Sequence, residues 1–365
     1  MTIRITKLLL LMLVLNATGC NSSSGASAGH VFIFSTDYSL GIINGAINGP
    51  DRRAADTDDA YAVTLALQAG LDIQGIITTF GNDKAQPSYE SARRGLAALG
   101  YATNNLRVGA EGFLDALPVR FEPVGDEPTV FCVNDGVRLM RDVLDSNPVG
   151  TVTLFAIGPF TDIACLLRAF PDSFDKLNEI IGLVGSSDGK PVLQGIDVVD
   201  FNFAMDPTAL GLVVQQTAVP FTAIMFEVSQ FGTLPNNIID TWATSSGTSE
   251  QQYYGQATQL HAEYWDAIFP LTDGQALFDA HTVYYFLNRA SYTCTDNMVG
   301  TVIVGGYPDM SASTTKNFFT VTPAPVQTSA SDNVYIGVVR GCHGFADSNT
   351  VTFLEQAVQS SIKHY

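Results

Sequence analysis

The sequence is poor in positive charge. Only 18 of its 365 residues are Lys or Arg, against 36 Asp or Glu, which gives a formal net charge of −18. Proteins that bind nucleic acid through phosphate contacts need a basic surface, so no nucleic-acid partner is expected. After residue 20 the sequence also lacks an apolar run of about 18 residues, the length that a transmembrane helix requires.

Cysteine is scarce too, and its spacing does not suit the common zinc sites. The five cysteines contain no CxxC pair and no Cys/His spacing typical of zinc ligands. Cys165 lies in the apolar sequence DIACLLRAF and is predicted to be a core residue rather than a reactive one. Cys294 and Cys342 lie in loop-like sequence. An exported protein would permit a disulfide between them, but the sequence does not decide whether they pair.

The first residues have the features of a targeting segment. Arg4 and Lys7 precede an apolar stretch over residues 8–15, and the small residues that follow end in Cys20. This order predicts a secretory signal peptide over residues 1–20. Its end resembles a bacterial lipobox, which predicts an exported protein anchored through a lipid on Cys20 in the periplasm or cell envelope. The alternative is an ordinary signal peptide with an incidental Cys. Residues 21–29, rich in Ser and Gly, are predicted to be a flexible tether.

Strand-like and helix-like segments alternate through most of the remaining chain. This order predicts an α/β fold with a mostly parallel central sheet flanked by helices, similar to a Rossmann core, in one domain over residues 30–365. The predicted strands of that sheet are 31–34, 73–78, 108–110, 152–157, 180–184 and 221–225. The predicted helices are 59–69, 89–99, 134–144, one that starts within 158–162 and runs to 170, 206–212 and 279–290.

Carboxylates gather where these elements meet. Asp37 lies just past the first strand, and Asp58 and Asp59 lie directly before the first helix. In open α/β sheets, ligands bind beyond the carboxyl ends of the strands. Carboxylates brought together there repel one another unless a cation such as Ca²⁺ or Mg²⁺ holds them. The alternative is that Asp58 and Asp59 only stabilise the helix N-terminus, an effect of ~0.3–1 kcal/mol.

A second unusual region, residues 247–278, is rich in aromatic side chains at helical spacing. It contains Tyr253, Tyr254, His261, Tyr264 and Trp265. Such a cluster either lines a ligand pocket or packs into the core, because aromatic side chains dominate protein cores.

Five separated pieces of the sequence resemble the inosine/uridine-preferring nucleoside hydrolases over roughly residues 30–360. That family begins with a strand that ends in DxDxxxDD. The matching pieces here are Asp37 with Asp58-Asp59, TTFGN at 78–82, TLFAIGPFTDIA at 153–164, DFNFAMDPTA at 200–209 and FDAH at 278–281. Their order and spacing agree with the family, so the resemblance implies its α/β fold and its activity, hydrolysis of the N-glycosidic bond of ribonucleosides.

The resemblance also implies a site. Ca²⁺ would be held by the side chains of Asp37, Asp59 and Asp279 and by the backbone carbonyl of Ile157. Asp37 would be the general base that activates a metal-bound water for attack on the ribose. The residues implied to bind the nucleoside are Asp58, Asn82, Asp200, Asn202 and Asp279.

Three departures from the family pattern leave parts of this site open. Ser35 replaces the first Asp of the motif, and Asp37 and Asp58 are 21 positions apart, so an insertion interrupts the site. Asp51 or Asp56 is therefore an alternative to Asp37 as ligand. Phe278 stands where some members have the His that protonates the leaving base. That step would fall to His261, to a tyrosine, to water or to no group. Gln194 is a candidate for an Asn near the sugar.

Two other functions compete with nucleoside hydrolysis. One is a non-catalytic lipoprotein that binds nucleosides or sugars, and the other is a hydrolase of a different glycosidic substrate on the same fold. The sequence leaves the base preference open, and it leaves open whether the protein forms a homo-oligomer.

Overall fold

The computed structural model describes residues 29–41, 55–114, 132–216, 218–244, 246–270, 273–305, 317–324 and 333–362. The predicted signal peptide, all of the tether except Gly29, and Asp51 lie outside these residues, so the predictions made for them stay predictions. Within the described ranges, no helix combines the length and the hydrophobicity needed to cross a bilayer.

The described strands form a nine-stranded sheet and two small two-stranded sheets. The strands are β1 Val31–Thr36, β2 Asp72–Thr78, β3 Leu106–Val108, β4 Val152–Ile157, β5 Leu177–Leu183, β6 Val192–Leu193, β7 Ile196–Asp197, β8 Phe221–Ile224, β9 Thr233–Pro235, β10 Gly274–Ala276, β11 Tyr292–Val304, β12 Phe318–Thr322 and β13 Asn333–Phe345. The order in the large sheet is β12-β11-β13-β8-β5-β4-β1-β2-β3. Neighbours from β3 to β13 are parallel, and β11 is antiparallel to β13 and β12. The predicted mostly parallel sheet is confirmed.

The helices lie on both faces of this sheet. They are α1 Asp58–Gln68, α2 Ala85–Ala98, α3 Asp135–Ser146, α4 Thr161–Ala169, α5 Pro171–Phe174, α6 Phe201–Met205, α7 Pro207–Gln215, α8 Phe226–Ser229, α9 Asn236–Ala243, α10 Ser249–Ile268, α11 Ala280–Leu287 and α12 Thr350–Ser361. Most of the predicted elements occur within a few residues of their expected bounds. The third strand begins and ends two residues earlier than predicted, and Gly109 and Ala110 lie beyond its end.

Strand β1 shows why the sheet is buried on both sides. Every residue of β1 is buried. Val31 and Ile33 belong to one hydrophobic core, and Phe32 and Phe34 belong to the other. Because successive side chains of a strand point to opposite faces, two apolar layers of helices are needed to cover it. An uninterrupted apolar strand is therefore expected at the centre of the sheet, where β1 lies between β4 and β2.

The structure pairs the four cysteines of the described chain in two disulfides, Cys132–Cys165 and Cys294–Cys342. Cys165 is buried, as predicted, but it is also bonded, which its apolar neighbourhood did not indicate. Cys294 and Cys342 are opposite each other on β11 and β13 rather than in loops. A disulfide depends on which strands are neighbours and in what register, and this information is not local in the sequence.

Candidate active site

The candidate site lies at the carboxyl edge of the large sheet. In the register of the central strands, Thr36 is paired with Thr78 on one side and with Ile157 on the other. The residues that follow these three positions therefore meet at one place. A cavity of about 710 Å³ opens there. Its volume lies within the range of ~300–1,000 Å³ that is typical of sites for small molecules.

One end of the cavity is acidic. Asp58, Asp59 and Asp279 are buried, and one carboxylate oxygen from each lies within 4.8 Å of the others. Asp58 and Asp59 begin α1, and Asp279 directly precedes α11, which packs against α1. We call these three residues together with Asp37 the acidic end.

The hydrogen bonds of the acidic end explain how its carboxylates are oriented. Asp58 Oδ2 accepts a hydrogen bond from the backbone N–H of Asp279 at 3.0 Å, and Asp59 Oδ1 accepts one from the hydroxyl of Thr36. Both carboxylates lie in the first turn of α1, where negative charge stabilises a helix N-terminus, but each also accepts a hydrogen bond from another element. Asp279 Oδ1 is buried and has no hydrogen-bond partner among the described residues. A buried carboxylate oxygen without a donor is costly unless a ligand satisfies it.

Asp37 lies beside this trio rather than within it. Its Oδ2 accepts a hydrogen bond from the backbone N–H of Asn82 at 2.8 Å, and both residues line the cavity. Gly81 makes this approach possible. Its φ is +149°, and a Cβ atom on Gly81 would overlap the Asp37 carboxylate. The Gly-Asn pair of the second motif therefore has a steric reason to follow β2.

Burial and mutual repulsion raise the pKa values of all four carboxyl groups. Burial raises the pKa of Asp37 to about 7, with a further contribution from Asp56. The pKa values of Asp58, Asp59 and Asp279 are raised well above their ordinary range, first by burial and then by neighbouring carboxylates. Four such groups resist becoming fully charged unless a cation compensates them.

The other predicted nucleoside-binding residues line the same cavity. Asp200 is the N-cap of α6, and its Oδ2 accepts a hydrogen bond from the backbone N–H of Gly185 at 2.6 Å. Burial raises the pKa of Asp200 to about 6. The amide of Asn202 donates to the carbonyl of Leu183 at 3.3 Å. Ile157 also lines the cavity, at the end of β4.

Asp206 has a structural role instead. It is the N-cap of α7, and its Oδ2 accepts hydrogen bonds from the backbone N–H of Leu114 and from the hydroxyl of Thr161. Its place in the DFNFAMDPTA motif therefore reflects helix capping rather than a contact with the cavity.

The opposite side of the cavity is aromatic. The rings of Phe226 and Phe278 are stacked with centroids 6.1 Å apart, and Trp265 lies edge-on to Phe278 at 5.9 Å. Phe269 is 4.5 Å from Trp265. We call these four residues the aromatic wall; all of them line the cavity. Helix α10 has both of the roles expected for this aromatic region. Trp265 lines the cavity, whereas Tyr254 is buried in the core, where its hydroxyl is hydrogen-bonded to that of Tyr38.

A polar network beside the aromatic wall contains one residue that the sequence did not single out, Gln275 on β10. Its side chain is buried and contacts Asp56, Thr57 and His261. Asp56 is an alternative to Asp37 as a metal ligand, and His261 is a candidate for the group that protonates the leaving base. Gln275 gives no local signal because β10 is only three residues long and pairs with the equally short β9.

Comparison with known proteins identifies the family. The model of the inosine-uridine preferring nucleoside hydrolase family matches residues 54–341, more than half of the chain. The chain belongs to this family. This nucleoside hydrolase is therefore an N-glycosyl hydrolase, and family membership supports small-molecule nucleosides as its substrates.

Curated relatives are similar over much of the hydrolase. The pyrimidine-specific ribonucleoside hydrolase RihA of Salmonella arizonae is 26% identical over 272 residues, which cover 68% of this chain and 82% of the relative. The non-specific ribonucleoside hydrolase RihC of Salmonella paratyphi B is 32% identical over 176 residues, or 43% of this chain and 53% of the relative.

Solved structures share the fold. The plant nucleoside hydrolase PpNRh1 aligns with a TM-score of 0.65 at 15% identity, over 91% of this chain and 99% of that one. A purine-preferring ribonucleoside hydrolase from Gardnerella vaginalis aligns with a TM-score of 0.64 at 17% identity, with the same coverage. At these identities the similarity shows the fold alone.

Proposed function

We propose that this nucleoside hydrolase cleaves the N-glycosidic bond of ribonucleosides, and that it does so with a bound Ca²⁺. The observation that carries the proposal is the buried trio Asp58, Asp59 and Asp279, from each of which one carboxylate oxygen lies within 4.8 Å of the others, at a cavity large enough for a small molecule. The competing functions, a non-catalytic binding lipoprotein and a hydrolase of another glycosidic bond, are not adopted because the family match covers residues 54–341.

The donor set fits a hard cation. The acidic end offers only oxygen atoms, which suit Ca²⁺ and Mg²⁺ rather than softer metals. Asp279 Oδ1 is buried without a hydrogen-bond partner in the described structure, and a cation would satisfy it. We assign the cation to the side chains of Asp37, Asp59 and Asp279 and to the backbone carbonyl of Ile157. Such a cation acts as a Lewis acid that makes a nearby water more acidic.

Asp37 is proposed as the general base. Burial alone raises the pKa of Asp37 to about 7, and the proposed cation would lower it again, so that the carboxylate is charged and able to accept a proton at neutral pH. The backbone N–H of Asn82 fixes one oxygen of its carboxylate, which leaves the other to accept a proton from the attacking water. The family match begins at residue 54, so the role of Asp37 rests on its place in the cavity and not on that match.

The remaining polar residues of the cavity are proposed to hold the ribose. Asp58, Asn82, Asp200, Asn202 and Asp279 line the cavity and can exchange hydrogen bonds with sugar hydroxyls. These contacts would hold the ribose next to the attacking water, and holding two reactants in the right geometry lowers the barrier to their reaction. The aromatic wall offers flat faces against which a nucleobase stacks.

Both purine and pyrimidine ribonucleosides are proposed as substrates. The related hydrolases carry names that span pyrimidine-specific, non-specific and purine-preferring enzymes. A stacking wall by itself accepts either kind of base, because every base has a π-face.

We further propose that the protein is exported and anchored by a lipid on Cys20. The support is the signal-peptide pattern before Cys20 together with two disulfides, which persist in oxidising compartments. Labelling with radioactive palmitate in a bacterial host tests the anchor. Label on the wild type that disappears in Cys20→Ser supports it, and an unlabelled wild type contradicts it.

Release of reducing sugar from a panel of ribonucleosides tests the activity. We expect release in the presence of Ca²⁺, loss of release with a chelator, and recovery when Ca²⁺ is returned. A folded protein that cleaves no ribonucleoside with Ca²⁺ present would refute the proposed function. Activity that survives complete chelation would refute only the role of the cation.

A further inference from the structure

We propose that His261 donates the proton that the departing nucleobase requires, and that Gln275 and Asp56 hold its imidazole ring in position. This inference rests on the proposed function. The inference goes beyond the proposed function because it assigns the proton donor for the leaving base to α10, a helix that contributes no residue to the acidic end.

The reaction needs such a donor. When the bond between ribose C1′ and the base nitrogen breaks, its electron pair stays on the nitrogen. A neutral nucleobase therefore leaves as an anion unless it takes up a proton in the same step. The water adds its hydroxyl to C1′ and gives its proton to Asp37, and His261 gives its proton to the base nitrogen. The products are ribose and the neutral base, so atoms and charges balance once the two side chains exchange protons with solvent.

Few groups of the cavity can supply this proton. The acidic end is assigned to the cation and the water, and Phe278, next to Asp279, carries no acidic proton. Among the described residues that line the cavity, His261 is the only imidazole. Imidazole is the side chain that exchanges protons most readily near neutral pH. Tyr264, one turn further along α10, is the competing candidate.

The hydrogen bonds around Gln275 determine which nitrogen of His261 is available. Gln275 Nε2 donates to Asp56 Oδ1 at 2.8 Å and to the carbonyl of Ala276 at 2.8 Å. Its Oε1 accepts from the hydroxyl of Thr57 at 2.9 Å and lies 2.6 Å from His261 Nδ1. Because Oε1 can only accept, Nδ1 carries a hydrogen and donates it. Nε2 is then the nitrogen that gains and loses a proton.

Nothing in the described structure competes for that nitrogen. Within the described ranges His261 makes one hydrogen bond, from Nδ1, and Nε2 has no partner there. The ring itself is firmly held, because Gln275 and Thr57 are completely buried and His261 is 4% exposed. Asp56 Oδ1 lies 3.7 Å from Nδ1 on the same side. A catalytic proton donor needs a fixed ring with one free nitrogen, and this arrangement provides both.

The ring also lies on the base side of the cavity. Its centroid is 5.8 Å from the ring of Trp265, which in turn contacts Phe278 and Phe269 of the aromatic wall. A base stacked on that wall is therefore adjacent to His261.

The test compares two kinds of substrate in the full-length protein with Ca²⁺. Inosine and uridine have poor leaving groups that need a proton, whereas p-nitrophenyl riboside releases a stable phenolate that needs none. His261→Asn places an amide near the position of Nδ1 and removes Nε2. We expect kcat/KM for inosine and uridine to fall by ~10²-fold or more, the usual contribution of a general acid, while p-nitrophenyl riboside is cleaved almost as before.

Tyr264→Phe is the matched control, because it removes the acidic proton of the competing candidate from the same helix. It should leave the ratio of activities on the two kinds of substrate unchanged. Gln275→Leu frees the ring without removing it. It should lower activity on the nucleosides selectively but by less than His261→Asn, a pattern that a purely structural role would not produce. Thermal melting of each variant verifies folding.

The outcomes separate this inference from the proposed function. A wild type that cleaves neither kind of substrate refutes the proposed function. A wild type that cleaves both, together with a His261→Asn variant that loses both equally or loses neither, refutes the role of His261 alone. If His261→Asn does not fold, the substrate-selective loss in Gln275→Leu supports the proposal, and an equal loss on both substrates overturns it.

Discussion

The two sides of the cavity differ in how the chain builds them. The acidic end comes from residues at the termini of neighbouring central elements, β1, α1 and α11. The aromatic wall, His261 and Gln275 come from α8, α10 with its C-cap and the short strand β10, with Phe278 as the link to Asp279. The comparison teaches that the acidic end is built on β1 and on two helices of which α11 packs against the central strands, whereas the aromatic wall is built on elements outside the large sheet. We therefore expect the cation and the attack of water to depend on the first, and the choice of base and its protonation to depend on the second.

The largest effect should come from Asp37→Asn at the acidic end. The amide keeps the shape of the side chain but cannot accept a proton from water. We expect kcat to fall by ~10²–10⁴-fold, the range for loss of a general base. Asp197→Asn is the matched control, because Asp197 is an exposed carboxylate that also lines the cavity. Equal activity of Asp37→Asn and the wild type would show that another group, such as Asp56, is the base.

A second expectation concerns the stability of the metal-free protein as the pH changes. The pKa of Asp37 is raised by burial from 3.8 to about 7 in the fold, and those of the trio are raised too. Between about pH 4 and pH 7, Asp37 is therefore protonated in the folded protein but charged in the unfolded chain. Because the folded protein binds more protons in this range, its free energy of unfolding falls as the pH rises. Melting temperatures of chelator-treated protein at pH 5 and pH 8 should show this decrease.

Added Ca²⁺ should oppose that decrease, since it replaces the protons as the compensating charge. In Asp37→Asn, which lacks one of the titrating groups, the decrease should be smaller. A melting temperature of the metal-free protein that rises from pH 5 to pH 8 would contradict the interpretation of the acidic end.

A smaller effect is expected from Gly81→Ala. The residue has a φ of +149°, which L side chains rarely adopt, and its new Cβ would overlap the carboxylate of Asp37. We expect a loss of ~1–3 kcal/mol in the free energy of unfolding together with lower kcat, because Asp37 is displaced. Gly112→Ala is the matched control, since a Cβ there meets nothing within 4 Å. Chemical denaturation of both variants measures the difference, and equal stability would argue against a tight approach of Gly81 to Asp37.

The smallest effect should come from the aromatic wall. Phe278→Ala removes the stacked partner of Phe226 and the edge contact of Trp265. Such ring contacts contribute ~0.5–1.5 kcal/mol beyond the area they bury. We expect a rise in KM of several-fold with a smaller change in kcat, and a change in the ratio of purine to pyrimidine cleavage. Steady-state kinetics with inosine and uridine measure both. A loss confined to kcat would mean that Phe278 acts on the chemistry rather than on binding.

The sequence predicted the sheet and the acidic end for a physical reason. Apolar runs such as those of β1 and β4 can be buried on both faces only in the middle of a parallel sheet, and their carboxyl ends then meet at one edge. Asp37 directly follows β1 and Asp58 begins α1, so their convergence can be inferred from local patterns, whereas Asn82 entered through the family resemblance. The family resemblance added Asp279, whose own neighbourhood gives no such signal.

The rest depends on contacts between residues far apart in the chain. Gln275 hydrogen-bonds Thr57, 218 positions away, and the disulfide between Cys294 and Cys342 depends on the register of two strands. The hairpin formed by β6 and β7 at the cavity is also only a few residues long. Elements this short carry no periodic pattern, and pairings between distant residues leave no trace in a single sequence.

Calorimetric titration of Ca²⁺ into the chelator-treated protein and its Asp279→Asn variant is the most direct test of the central claim. The claim is that the acidic end is a cation site required for hydrolysis. It predicts one Ca²⁺ bound per chain in the wild type, with ribonucleoside cleavage appearing in proportion to occupancy, and loss of both in a folded Asp279→Asn. Absence of Ca²⁺ binding to the folded wild type, or equal binding and activity in the variant, would contradict it.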